Sequence, residues 1–386
     1  FSLTDVKVML AQRAFEEFIT LSPSRVNRIL YWNVSQSNDP YYAFFLLREV
    51  RPLAPKLTPI SHLEQLTGKL SSQKPRLPEA TSLGSSNEIK MNILITGASG
   101  MIGSALSTRL TQSGHQVFGL SRSDSSAPFH YDPINDRVHL STDTKLDVVV
   151  NLAGANIADR RWNIKRKEEI LNSRARLTRA LSLALSESQP PPHTLLSASA
   201  IGFYGNQCTA PADEDCPPGD DFLAEVSVRW EEATAPATNA GIRTVLLRFG
   251  LVLNAHGGVL KNLVMPGGLA VVGRLGDGEH LMSWISLPDA INVMMACLQD
   301  RNFNGPVNVV APGVVSNRAF AKALSKARRR PALPPIPAAI VRMMFGEMAD
   351  TALLASGNIC SSRLDELGIE LRHKDLDSAL SHCFSH

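Results

Sequence analysis

The segment MNILITGASGMIG, at residues 91–103, most constrains what this chain can fold into. It places a short apolar run, a glycine-rich turn and the start of a helical pattern in direct succession. Gly97, Gly100 and Gly103 recur at every third position of that turn. Glycines between a strand and a helix permit a tight turn and let a pyrophosphate approach the backbone at the helix N-terminus. The segment therefore predicts a dinucleotide-binding turn rather than a purely structural one.

Apolar runs and helical stretches alternate along the rest of the chain. The runs are MNILITG, HQVFGLSR, LDVVVNLAG, HTLLSASA, IRTVLLRFG and GPVNVVAP. Strands separated by helices indicate a parallel sheet with both faces covered. We therefore predict the α/β class, with a Rossmann-type doubly wound parallel sheet over residues 91–330 and substrate-side elements interleaved. Residues 331–386 are expected to form a small, mostly helical C-terminal domain.

The first 90 residues differ in character from the remainder. Residues 1–70 form the predicted extension, in which residues 4–21 show helical periodicity, and the first 90 residues hold nine of the 23 aromatic residues. This composition favours a helical extension that docks on a protein partner over a disordered leader. Residues 71–90, rich in Ser and Pro, are predicted to form a linker.

The position of Met91 bears on where the protein resides. The chain begins with Phe1, and MNILITG at Met91 is typical of a native start. An organelle-imported protein whose targeting peptide has been removed fits this arrangement. The mitochondrial matrix is our expectation, with the plastid or the cytoplasm as alternatives. An artificially shortened chain would give the same beginning.

Charge and cysteine usage exclude several functional classes. The net charge is +3, and residues 1–90 account for it, with eleven Lys and Arg against eight Asp and Glu. Without a basic stripe, nucleic-acid binding is not expected. No apolar stretch is long enough to span a membrane. The five cysteines are scattered and form no metal-ligand spacing, and the acidic run Asp213–Asp215 does not suggest a metal site either.

The tip of the second predicted strand indicates the nucleotide. NAD-preferring sites usually place Asp or Glu there to accept from the ribose hydroxyls. This chain has Ser121, Arg122 and Ser123 instead, with Asp124 the first acid. A guanidinium can pair with a 2′-phosphate through its planar fork. We therefore predict NADP(H), with a solvated loop arginine as the alternative reading of Arg122.

Several further motifs, in order, resemble one family. They are NLAGANIADRRW, SRARLTRAL, SASAIGFYG, DDFLAEVSVRWE, RFGLVLNAHGGVL and GDGEHLMSWISLPD. Together they resemble the atypical extended short-chain dehydrogenase/reductases of the NAD-dependent epimerase family, known as nucleoside-diphosphate-sugar epimerase-like proteins. The tail from PPIPAAIV onward is similar to that family's C-terminal domain of unknown function. The resemblance covers roughly residues 91–376.

The resemblance implies roles for individual residues. Those matching the pyrophosphate loop are Gly97, Ser99, Gly100, Met101, Ile102 and Gly103, with Arg122 as the 2′-phosphate contact. Leu152, Ala153 and Gly154 match the loop beside the ribose and nicotinamide. Arg248 lies where the family lines its pocket. Ser199 is near the catalytic serine position, although one extra residue before Tyr204 leaves that register open.

The proton donor of the wider superfamily is missing at its expected place. A Tyr and a Lys four residues apart on one helix share a face, and the Lys lowers the pKa of the phenol. Counting back from Trp230 and Glu231 places Leu223 at the Tyr position and Ser227 at the Lys position. Leucine cannot transfer a proton, so the usual chemistry should be severely impaired.

Other side chains are candidates to replace the missing proton donor or to bind a substrate. Tyr204 is the candidate proton donor, with a packing tyrosine as the alternative. Basic residues from Arg160 to Arg174 could hold an anionic substrate or form a solvated face, and His280 and Trp284 could line a pocket or belong to loop and core. The missing pair and the extension favour a structural or accessory subunit of a larger organellar assembly, and a mitochondrial respiratory complex is the first to consider. A free NADP-dependent oxidoreductase or epimerase is the alternative.

Overall fold

The computed structural model describes residues 90–385, apart from residues 207, 256, 259, 261–272 and 330–332. The predicted helical segment 1–70 and all but the last residue of the linker 71–90 lie outside the described residues. Strands follow one another along the chain as β1 Asn92–Thr96, β2 Gln116–Gly119, β3 Phe129–Asp132, β4 Arg137–Leu140, β5 Val148–Asn151, β6 Thr194–Ala200, β7 Cys208–Ala212, β8 Arg243–Phe249, β9 Leu251–Leu253, β10 Gly273–Leu275, β11 Leu281–Met282, β12 Trp284–Ser286, β13 Gly305–Val309, β14 Val315–Ser316, β15 Leu333–Ile336 and β16 Gly357–Ile359.

A six-stranded sheet organises the described part of the chain. Its strand order is β13-β8-β6-β5-β1-β2, and every neighbouring pair is parallel. The order reverses between β1 and β5, which is where dinucleotides bind in sheets of this kind. All six apolar runs singled out in the sequence form this sheet, so the predicted Rossmann-type class is confirmed.

Helices cover the sheet on both faces. Their bounds are α1 Met101–Gln112, α2 Ile164–Glu187, α3 Phe222–Glu232, α4 Ala235–Asn239, α5 Leu287–Gln299, α6 Asn317–Arg328, α7 Ala338–Phe345, α8 Ser362–Glu366 and α9 Leu376–Phe384. No helix among the described residues is both long and apolar enough to cross a membrane.

Alternation along the strands sorts the core into two layers. Ile93, Ile95 and Val150 belong to the layer that holds buried residues of α1 and α5. Leu94 and Val149 belong to the other layer, with buried residues of α2. Because successive side chains of a strand point to opposite faces, a strand covered on both sides must be apolar throughout. The unbroken run VVV in β5 is the clearest case.

Side-chain caps place the two helices that matter most for the site. The Asn163 side chain accepts from the backbone N–H of Arg166 and starts α2. Asp221 accepts from the N–H of Ala224 and starts α3. Such caps satisfy backbone donors that have no partner within the helix. The two helices pack against each other, and Trp230 of α3 donates to Thr178 of α2 across 3.0 Å.

The C-terminal residues attach to the sheet domain through several short contacts. β16 pairs in parallel with β7, and β15 pairs with β10. Lys167 at the start of α2 forms an ion pair of 2.7 Å with Glu347. The described residues beyond 333 comprise short helices and two short strands, which agrees with the predicted mostly helical character. The predicted domain boundaries at residues 90 and 330 stay predictions.

Candidate functional site

The glycine turn after β1 has a conformation that other residues would not tolerate. Gly97 has a φ of +68°, in the left-handed region that favours glycine. A Cβ on Gly97 would lie 2.9 Å from the carbonyl oxygen of Leu152. A Cβ on Gly103 would lie 2.2 Å from the carbonyl oxygen of Gly97. The turn is therefore packed tightly against both its own helix and the loop after β5.

The N-terminus of α1 is open toward the end of the sheet. Gly100 is its N-cap and supplies no side-chain hydrogen bond, and both Ser99 and Gly100 are exposed. Met101 and Ile102, which follow, are partly buried. The first N–H groups of a helix have no partner within the helix and attract anions. The residues present fit a pyrophosphate at this place, and their predicted role in binding it stays a prediction.

The loop after β5 is held against this turn by a buried row of polar side chains. Thr96 Oγ1 accepts from the N–H groups of Leu152 and Ala153, each at 3.1 Å, and donates to Asn151 at 2.7 Å. Asn151 in turn donates to Ser197 Oγ at 3.2 Å. Leu152 and Ala153 thereby stand beside Gly97, so the structure brings these predicted residues together.

The end of β2 carries the predicted recognition of the 2′-phosphate. Arg122 is exposed and lies in the loop immediately after β2. A cavity of about 260 Å³ opens there, lined by Arg122, Ser123, Asp124, Ser125, His130, Tyr131, Asp132 and Pro133. The part of the lining from His130 to Pro133 belongs to β3 and the turn after it, in a hairpin with β4 that the sequence did not predict. Arg122 shares the lining with the carboxylates of Asp124 and Asp132, and a guanidinium can pair with a phosphate group.

Ser199 lies at the opposite end of the site, in a buried network. Its hydroxyl donates to Glu231 Oε1 across 2.6 Å. Glu231 is held at both oxygens by Arg248, at 2.8 and 2.9 Å. The Ser199 residue is only 3% exposed, and the Arg248 side chain 5%. A hydroxyl has one hydrogen, so Ser199 can accept a hydrogen bond from a ligand but not donate one while it is bound to Glu231.

Tyr204 belongs to the same network. Its hydroxyl accepts from Arg248 at 2.9 Å and donates to Asn308 Oδ1 at 2.8 Å. Burial raises the pKa of Tyr204 to about 12, despite the nearby Arg248 guanidinium. A proton donor working near neutral pH needs the opposite shift. These contacts do not favour Tyr204 as the donor. Its catalytic role, that of Ser199 and the cofactor contact of Arg248 all stay predictions.

Leu223 and Ser227 lie on the face of α3 that meets the turn after β6. A Cβ on Gly202, in that turn, would lie 3.2 Å from Leu223 Cβ and 3.8 Å from Ser227 Oγ. Ser227 is buried and donates to the carbonyl oxygen of Leu223 at 2.8 Å. The positions counted back from Glu231 therefore face the end of β6, where the Tyr and Lys of the superfamily are expected. Neither residue present offers a phenol or an ammonium.

The network continues into the C-terminal region through residues that sequence reasoning missed. Glu214 is 4% exposed and accepts from Ser361 Oγ at 2.6 Å and from the N–H of Ser362 at 3.0 Å. It also accepts from the backbone N–H of Asn308 at 2.8 Å. The acidic run was visible in the sequence, but its partners are 94 to 148 residues away. No local pattern could have indicated that pairing.

Of the remaining candidates, Arg166 and Trp284 make structural contacts, and no role is assigned to His280. Arg166 is buried and pairs with Asp159 at 2.6 Å and Glu169 at 2.8 Å. Trp284 is fully buried and donates to the carbonyl oxygen of Gly313, so it is a core residue. His280 is half-buried, and desolvation lowers its pKa. Arg174, by contrast, contacts the loop after β5. Among the described residues, no group of His, Cys, Asp and Glu is arranged to hold a metal ion.

Comparisons with known proteins agree with this geometry. A model of the NAD dependent epimerase/dehydratase family matches residues 93–310, and a domain of unknown function matches residues 336–383. An epimerase family protein of Mycobacterium bovis is 37% identical over 292 residues, covering 75% of this chain and 96% of the relative. A chloroplastic homologue of the epimerase family protein SDR39U1 from Arabidopsis thaliana is 33% identical over 307 residues, covering 77% of this chain and 87% of the relative.

Among solved structures, the human epimerase family protein SDR39U1, crystallised with NADPH, superposes with a TM-score of 0.69 at 30% identity, covering 76% of this chain and 99% of that one. The matched family spans the sheet, the glycine turn and the buried network, and the second match spans the C-terminal region. This chain therefore belongs to the NAD dependent epimerase/dehydratase family.

Proposed function

We propose that this chain binds NADP(H) and holds it without the proton chemistry of Tyr/Lys family members. The observation that carries the proposal is the state of the groups at the end of β6. Leu223 and Ser227, at the positions that the sequence predicts for the Tyr and Lys, lie against Gly202 in the turn after β6. The Ser199 hydroxyl donates its hydrogen to Glu231, and the Tyr204 hydroxyl donates its hydrogen to Asn308. Among the described residues at the end of β6, neither of these two hydroxyls is free to donate its hydrogen to a ligand.

The adenosine end supports NADP(H) as the nucleotide. Arg122 lines the cavity that follows β2. A carboxylate in place of Arg122 would repel a 2′-phosphate; Asp124 also lines this cavity, and its carboxylate accepts from Ser126. The human relative crystallised with NADPH is 30% identical to this chain. When bound, the nucleotide would supply hydride chemistry. The residues of this chain would position its phosphates.

We further propose that the protein serves as an accessory subunit of an organellar assembly, with a mitochondrial respiratory complex the first to test. Residues 1–70 would provide the docking segment, and the match to the family model begins only at residue 93. A plastid or cytoplasmic location is the alternative, and one relative carries a chloroplastic designation.

A second function is favoured by the coverage of the bacterial relative. That protein matches over 96% of its own length, so the family exists as a free-standing core without the extension. On this reading the chain is an NADP-dependent oxidoreductase or epimerase. Ser199 would then take a proton from a substrate hydroxyl and pass its own to Glu231, whose carboxylate lies 2.6 Å away.

The deciding experiment combines purification under gentle conditions with nucleotide analysis of each size-exclusion fraction. We expect a large particle that contains about one NADP(H) per chain, and NADPH that persists on incubation with a panel of carbonyl substrates. A monomer or dimer that consumes NADPH over many turnovers would contradict the accessory role. A matched variant, Leu223→Tyr with Ser227→Lys, tests whether the missing pair alone limits turnover.

A further inference from the structure

Arg174 of α2 contacts the loop that follows β5 at its backbone. Its guanidinium donates to the carbonyl oxygen of Ala155 at 3.0 Å and to that of Ile170 at 3.1 Å. A Cβ on Gly154 would lie 3.0 Å from Arg174 Cζ, so the guanidinium packs directly on Gly154. The neighbouring Ser173 Oγ accepts from the N–H of Ala155 at 3.0 Å. The cation is therefore fixed against the loop rather than free in solvent.

The charge of Arg174 is not neutralised by any carboxylate within ion-pair distance in the described part of the chain. Its hydrogen-bond acceptors there are two carbonyl oxygens, and its Cζ lies 5.1 Å from the centre of the Trp230 ring. Burial, together with repulsion from Arg166, lowers the pKa of Arg174 to about 10. It remains a cation at neutral pH. Arg166 differs, because Asp159 and Glu169 compensate its charge.

The position of this charge relative to a bound dinucleotide follows from the sheet order. Arg122 after β2 marks the adenosine end, and the glycine turn after β1 marks the pyrophosphate. A dinucleotide that crosses the sheet at its switch point must extend its other half over β5 and β6. The loop from Leu152 to Ala155 follows β5, so a nicotinamide half that extends in this direction would pass over the loop that Arg174 contacts.

We propose that Arg174 supplies the positive charge at the nicotinamide end that Ser227 cannot, and that this charge makes the site prefer NADPH over NADP⁺. The inference rests on the proposed binding of NADP(H). The oxidised nicotinamide ring carries a positive charge and the reduced ring does not. A fixed cation nearby therefore disfavours the oxidised form, and the effect is larger in a partly buried site than in water. Arg174 acts here as a positioning and specificity residue, since it contacts the loop and not a reacting atom.

The test is the ratio of the dissociation constants for NADP⁺ and NADPH, measured by calorimetry on the full chain. We expect the ratio to exceed one in the native protein and to fall roughly ten-fold in Arg174→Met. Arg174→Lys should retain most of the preference because it keeps the charge. Arg179→Gln removes a charge from an exposed position of the same helix and serves as the matched control.

Several outcomes would overturn the proposal. A native ratio of one or below does so without any variant, and so does an unchanged ratio in Arg174→Met. Adenosine 2′,5′-bisphosphate, which lacks the nicotinamide half, should bind the native protein and Arg174→Met equally. If the methionine variant does not fold, the native ratio and Arg174→Lys still decide. Failure of the native protein to bind either nucleotide would instead refute the proposed function.

Discussion

The two ends of the candidate site differ in how their polar groups are satisfied. At the proposed adenosine end, Arg122 is exposed in an irregular loop and lines a cavity. At the end of β6 and β8, Ser199 and Arg248 are buried and bonded to Glu231 within a network that extends to Glu214. The charge of Arg122 is therefore available to a ligand, whereas the charges of Arg248 and Glu231 pair with each other.

This difference indicates what each end contributes. Polar groups that are buried and fully paired stabilise one arrangement of the fold and are costly to break. Exposed charges contribute little to the stability of the fold and are available to pair with a ligand. We therefore expect variants at the β6–β8 end to act on folding and variants at the adenosine end to act on nucleotide affinity.

The largest effect on the free energy of unfolding is expected from Arg248→Met. This substitution leaves the Glu231 carboxylate, whose side chain is 10% exposed, without its cation. Removing one partner of a buried ion pair typically costs about 3–5 kcal/mol. The free energy of unfolding should fall by that amount in chemical denaturation. Arg122→Met, at the other end, should change it by no more than about 0.5 kcal/mol. A loss at Arg248 no larger than that at Arg122 would remove the distinction between the ends.

Arg122→Glu should produce the largest effect on affinity. Replacing the guanidinium with a carboxylate removes a charge-assisted contact and adds repulsion to the 2′-phosphate, so NADPH binding should weaken roughly 100-fold. Binding of NADH, which lacks that phosphate, should change little. Calorimetric titration measures both nucleotides. Arg109→Glu, on the exposed side of α1, makes the same charge change away from the cavity. Equal losses for NADPH and NADH would refute the assignment of Arg122.

Tyr204→Phe should have a smaller effect, on stability alone. It removes the hydrogen bonds to Arg248 and Asn308 and leaves both groups buried, at a cost of about 1–2 kcal/mol. Tyr131→Phe, at the proposed adenosine end, loses one partly buried hydrogen bond to Asp136, so it should lower the free energy of unfolding by less. Thermal unfolding of the two variants side by side gives the comparison. A greater loss at Tyr131 would reverse our ranking of the two ends.

The smallest effect is a dependence of stability on pH that is confined to alkaline solution. Because burial raises the pKa of Tyr204 from 10.0 to about 12, the folded state favours the neutral phenol. Its contribution to stability is fully present below the unfolded pKa and is lost as the pH rises through the folded value. The tyrosinate absorbance of the native protein minus that of Tyr204→Phe should contain a component near pH 12. A component titrating at or below 10 would show an accessible phenol and restore Tyr204 as a candidate proton donor.

Residues close together in sequence determined much of what could be predicted. Six apolar runs with turn residues between them are sufficient to indicate six parallel strands, because periodicity and burial are properties of short segments. The turn from Gly97 to Gly103 and the absence of an acid at the tip of β2 are equally local. The β3–β4 hairpin was not predicted, because its strands FHYD and RVHL mix polar and apolar residues and contain no unbroken apolar run.

The tertiary structure alone decided which polar groups meet. Glu231 was recognised only as a marker of register, yet it accepts the hydrogen of Ser199 from 32 residues away and pairs with Arg248. Arg174 was one member of a basic run until the fold set it against Gly154. The sequence by itself determined the parallel sheet and the glycine turn after β1, and it predicted the replacement of a proton donor, since each rests on residue types at fixed local spacing. Which charges are compensated, and which remain for a ligand, depends on distances between elements that only folding brings together.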